Sequence, residues 1–143
     1  MPDTVVLYAY NLVDKVAPPT PITAWHLSVF VFDREFSYNG SDGVTVTSNN
    51  AEPHDTENMG RTNKTKEKLL KFIRVLRREF TVSNYNALTN NCQSFAQRVL
   101  TFLGIEKQIP LKYTLLPKAT NGTLGPAAGF LGMLFKSSSS SSS

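Results

Sequence analysis

One cysteine and two histidines are the whole supply of thiol and imidazole in 143 residues. A single cysteine excludes an internal disulfide framework and any zinc site built on four thiolates. With so few ligands no structural metal is expected, and no cofactor. No apolar run approaches the ~18–20 residues of a membrane-spanning helix. Met1-Pro2-Asp3 has no basic leader, and the first apolar run stops at Leu7–Tyr10, so a secretory signal is not expected either. A soluble protein of the cytoplasm, the nucleus or both follows as the expectation. Asn39-Gly40-Ser41, Asn63-Lys64-Thr65 and Asn121-Gly122-Thr123 then read as accidents of an Asn/Ser/Thr-rich chain rather than glycosylation sites.

What is present is globular: 41% apolar residues in a length that suits one domain. The net charge of +4 is unevenly placed, with eight basic residues against Glu67 and Glu79 between Arg61 and Phe80. Such a run can meet an acidic partner, but more often it is the solvated face of an amphipathic helix. No zinc-finger spacing, RNA-binding strand motif or aromatic stacking stripe accompanies it, so no nucleic-acid partner is expected.

Thr4–Tyr10 is β-branched and aromatic and predicts a strand. Ala17-Pro18-Pro19-Thr20-Pro21 predicts a stiff loop. Ala24–Asp33 predicts the strongest strand. Its two faces, His26/Ser28/Phe30/Phe32 and Leu27/Val29/Val31, are both largely apolar, as in a central strand covered on both sides. Glu35–Tyr38 and Val44–Thr47 flank an Asn-Gly hairpin loop, and Ser48–Gly60 reads as a long polar loop. Leu69, Phe72, Ile73, Leu76 and Phe80 repeat at helical spacing and predict a helix over Thr62–Phe80, capped by Thr62 or Asn63. An asparagine-rich loop covers Ser83–Asn91. A second helix covers Cys92–Leu103, ending at Gly104 as its C′ residue. Pro110 and Pro117 punctuate an extended segment. Residues 119–136 form an apolar, glycine-rich segment, and the seven serines of 137–143 form a tail that cannot build a core.

Cys92 opens its helix, where amide groups and the helix dipole favour an anion and should lower a thiol pKa. A buried free cysteine is equally an ordinary small core residue. A thiolate nucleophile needs an acid–base partner, usually histidine. His54 lies in a polar loop and is expected in solvent. His26, fixed on a strand, is the better partner, although a hydrogen-bonded core histidine would look the same.

Several segments together carry a resemblance. Val5-Val6-Leu7-Tyr8-Ala9-Tyr10-Asn11-Leu12, Ala24-Trp25-His26-Leu27-Ser28-Val29, Arg34-Glu35-Phe36-Ser37-Tyr38-Asn39-Gly40, Tyr85-Asn86-Ala87-Leu88-Thr89-Asn90-Asn91-Cys92-Gln93-Ser94-Phe95 and Leu103–Pro110 resemble, in that order, the PPPDE family of permuted papain-fold cysteine peptidases. The resemblance implies an α+β fold over residues 1–118, with a mainly antiparallel sheet packed against the helix carrying the cysteine. It implies Cys92 as nucleophile and His26 as base, histidine preceding cysteine in the permuted order. The substrate would be a protein carrying ubiquitin or a ubiquitin-like modifier such as SUMO. Trp25 is a candidate for the substrate cleft. Asn91 and Asn86 could orient groups or help hold an oxyanion, though cap and loop hydrogen bonding accounts for such asparagines more often. A thiol acyl hydrolase or acyltransferase, a depalmitoylase or a lecithin–retinol acyltransferase-like enzyme, is the alternative on the same dyad. Whether the chain forms a homodimer is left open.

Overall fold

The computed structural model describes residues 2–12, 25–48, 51–86 and 89–114. The proline loop at 17–21, Pro117, the segment 119–136 and the serine run lie outside the described residues.

Alternating apolar residues build the sheet. Strands β1 (Asp3–Asn11), β2 (Trp25–Val31), β3 (Arg34–Asn39), β4 (Gly43–Thr47) and β5 (Asp55–Thr62) are ordered β4-β3-β2-β1-β5, and every neighbouring pair is antiparallel. Val5, Leu7 and Ala9 of β1, Leu27, Val29 and Val31 of β2, and Phe36 and Tyr38 of β3 are completely buried, as period-two burial of one sheet face requires. Helices α1 (Lys66–Glu79) and α2 (Cys92–Phe102) cover that face. They contribute Leu69, Ile73 and Leu76 from α1 and Phe95, Ala96, Val99 and Leu100 from α2. Phe72 stacks on Phe102 at 4.4 Å and locks the two helices side by side. No helix of the described residues is long and apolar enough to cross a membrane.

β2 is the middle strand, as expected, but its two faces differ. Ser28 on the face away from the helices is fully buried, while His26 and Phe30 are only partly so. Tyr8 lies flat on Phe30 there, ring centres 5.1 Å apart.

Four sequence expectations need correction. The β2 strand stops at Val31, because Phe32 and Asp33 both turn to positive φ (56° and 59°) and form a two-residue reversal into β3. Asp3 Oδ2 accepts the Phe32 N–H at 2.8 Å and holds a conformation that non-glycine residues seldom adopt. The supposed loop Ser48–Gly60 contains most of β5. As an edge strand it has only Met59 and Thr62 buried, so no apolar alternation announced it. Helix α1 begins later than predicted. Thr62 belongs to β5, where its hydroxyl donates to Leu103 O, and Thr65 is the cap, accepting from Lys68 N. Beyond Pro110 the chain makes a 3-10 turn, Leu111–Tyr113, rather than continuing extended. Gly104, at φ +79°, does end α2 as predicted.

Candidate active site

The β2–β3 ladder runs through Val29–Phe36, Phe30–Glu35 and Val31–Arg34. Before Val29, the backbone of β2 on that side meets the start of α2 instead. The Leu27 N–H points at Cys92 Sγ at 3.5 Å, and Sγ lies 3.9 Å from the Trp25 carbonyl. Cys92 therefore sits against the backbone on both flanks of His26. The side chain of Asn91 fixes the start of the helix: Oδ1 accepts from Gln93 N (3.0 Å) and Ser94 N (3.1 Å), and Ser94 Oγ accepts the Asn91 N–H in return.

His26 projects from the other face of β2. Its Nε2 lies 3.0 Å from Ser37 Oγ on β3, and its ring is tilted against that of Tyr10, centres 5.8 Å apart. Beside it is a buried carboxylate. Glu35 Oε2 accepts the hydroxyls of Tyr10 and Ser28, each at 2.5 Å. Two hydroxyl donors on one oxygen satisfy a group that would be costly to bury bare.

Burial decides the protonation of both candidate groups. The sequence suggested a lowered thiol pKa, and the structure gives the opposite sign. Desolvation pushes the Cys92 thiol up to about 11, outweighing the amides of Leu27, Gln93 and Cys92 itself, which pull it down. Desolvation likewise lowers His26 to about 4, against the opposing charge of Glu35. The resting pair is a neutral thiol and a neutral imidazole.

A stability profile follows from these shifts. Unfolded His26 takes up a proton near pH 6.5 and folded His26 only near 4, so stability is lost as pH falls through that window, by at most about 3 kcal/mol. The raised thiol acts at the other end, where stability is lost as pH rises from about 9 towards 11. Asp55, lowered by Tyr113 and Lys112, titrates below the histidine window. Urea midpoints measured from pH 7 to pH 4 should fall for the wild type and fall much less for His26→Asn. Parallel curves would contradict the assignment.

The other candidates lie nearby with structural contacts of their own. Trp25 packs edge-on against Tyr113 at 5.1 Å, on the side of β2 opposite His26. Asn86 exchanges backbone hydrogen bonds with Asn90, both at 3.0 Å, and its Oδ1 accepts from Thr89 N. His54 is exposed, as expected, with Nδ1 accepting the Asn11 N–H at 3.1 Å. Three neighbours were not singled out from sequence. Ser37 and Glu35 could have been found as the polar positions of β3, alternating with Phe36 and Tyr38. Tyr85 is the third, its phenol pushed above the usual range by burial and by the nearby Cys92; no sequence signal marks it. Among the described residues no three His, Cys, Asp or Glu side chains gather as metal ligands.

An antiparallel sheet that parts to receive a helix opening on cysteine is the papain-like α+β arrangement. Residues 3–123 match the family model described as "PPPDE putative peptidase domain", and the chain belongs to this peptidase family. It is also similar to desumoylating isopeptidase 1 of Xenopus laevis, at 35% identity over 109 residues. That stretch is 72% of this chain and 63% of the relative, so the chain spans less than two thirds of the relative's length.

Proposed function

We propose that this protein is a cysteine isopeptidase that removes a ubiquitin-like modifier of the SUMO type, with Cys92 as nucleophile and His26 as base. The observation that carries the reading is the seat of Cys92 Sγ, at a helix start and against the backbone on both flanks of His26. Family membership supports peptidase chemistry, and the similarity to a desumoylating isopeptidase supports the modifier class.

In this mechanism His26 takes the thiol proton as Sγ attacks the isopeptide carbonyl. The tetrahedral oxyanion is met by amides at the start of α2, foremost that of Cys92. Collapse breaks the C–N bond, and His26 returns the proton to the departing lysine amine. The resulting thioester is hydrolysed by water, which His26 deprotonates. Because burial favours the neutral form of both resting groups, His26 has to take the thiol proton for Sγ to become the nucleophile. A modifier ending in glycine suits a site walled by backbone, since no side chain has to pass.

The test is covalent labelling by ubiquitin and SUMO carrying electrophilic C-termini. SUMO-probe labelling at Cys92 that disappears in His26→Ala is the expected result. Failure of every probe, with equally slow alkylation by a small reagent, would overturn the reading and turn attention to lipid thioesters.

A further inference from the structure

The site as read above has a nucleophile and a base but nothing that orients the base. We infer that Ser37 is the positioning residue for His26, accepting the Nε2–H in a hydrogen bond that leaves Nδ1 bare as the proton-accepting atom. The inference rests on the reading of His26 as the base and deepens it.

The geometry is specific. Continuing the β2–β3 register places position 26 opposite position 39, so Ser37 is its diagonal neighbour on the same face. Ser37 is 7% exposed and its Oγ lies 3.0 Å from Nε2. The neighbouring hydroxyls of Tyr10 and Ser28 are directed at Glu35 Oε2. A serine hydroxyl can donate or accept, so the contact alone permits either tautomer. The role of His26 as the base selects one. A neutral imidazole carries one N–H, and if Nε2 accepted from Ser37, the N–H would sit on Nδ1 and no lone pair would remain to take the thiol proton. Glu35, 8% exposed and on the same face of β3 as Ser37, opposes the desolvation of His26 and so supports the imidazolium once it forms.

Chain position hides this role. Ser37 is a small polar residue between Phe36 and Tyr38, 11 residues from His26 and 55 before Cys92.

The decisive measurement is long-range proton–nitrogen correlation of the histidine rings in the full-length wild type near pH 7, with His54→Asn used to assign the two side chains. His26 is expected as the Nε2–H tautomer. An Nδ1–H tautomer overturns the inference whatever the activity. Ser37→Ala should produce a mixture of tautomers and lower kcat about tenfold, the worth of one net hydrogen bond, with KM unchanged. Ser37→Thr, which keeps the hydroxyl, should restore both. Unchanged kcat and an unchanged ring spectrum in Ser37→Ala would overturn the inference as well. A wild type that cleaves no modifier conjugate would instead overturn the isopeptidase reading, and the ring spectrum would still decide the tautomer.

Discussion

Cys92→Ala should reduce isopeptide cleavage by at least roughly 10³-fold while leaving the protein folded, because a thiol nucleophile has no substitute once removed. The side chain is small and 3% exposed, and its polar contacts are weak: a long approach to Trp25 O, an acceptance from Leu27 N at 3.5 Å and the amides of Gln93 and Cys92 itself. Alanine fills most of the same volume, so the stability loss should stay near 1 kcal/mol. Steady-state cleavage of a modifier conjugate, alongside urea unfolding, checks both halves. Cleavage above a tenth of wild type in a folded Cys92→Ala would remove Cys92 from the reaction. Unfolding of the variant would show instead that the thiol is mainly core.

Phe95→Ala should be the most destabilising single truncation near the site, costing about 3–5 kcal/mol. Phe95 is fully buried one helical turn beyond Cys92. Its ring lies 5.5 Å from Phe80 and 6.2 Å from Tyr38, joining α2 to the end of α1 and to β3. Domains of this kind hold only about 5–15 kcal/mol in total. A loss of that size should shift the urea midpoint far down and raise the exchange rates of the α2 amides. Val75→Ala, at a residue 51% exposed, should change stability by less than about 0.5 kcal/mol and serves as the control. Equal midpoints for the two variants would mean that α2 is not held by this aromatic contact.

Elements with strong periodicity were legible from residues alone. β1, the core of β2, the β3–β4 hairpin and both helices follow apolar patterns, and Gly104 ends α2 where a glycine at positive φ was expected. What escaped was decided by tertiary context. β5 exists because β1 offers it a free edge, and an edge strand with two buried side chains has almost no pattern to read. The Phe32-Asp33 reversal contains no glycine or asparagine and depends on Asp3, 29 residues earlier. At the site, Cys92 and His26 were named from local chemistry and resemblance. The sign of the thiol shift was missed because helix-start amides are visible in sequence and depth of burial is not. Ser37 and Glu35 were passed over for a related reason: a strand's register, not its sequence, determines which polar residue meets which histidine.

The contact between Cys92 Sγ and Leu27 N joins residues 65 positions apart. The short turn from β3 into β4 can close early and cheaply, since local loops surrender little chain entropy. Seating α2 against β2 is a late, long-range closure of the kind that slows folding. A nascent or partly folded chain therefore carries Cys92 as an ordinary solvated thiol, with neither the elevated pKa nor the strand contact of the native state. Alkylation by a small reagent at pH 8 would accordingly run faster during refolding than after it, and the time at which Cys92 becomes protected would mark completion of the fold.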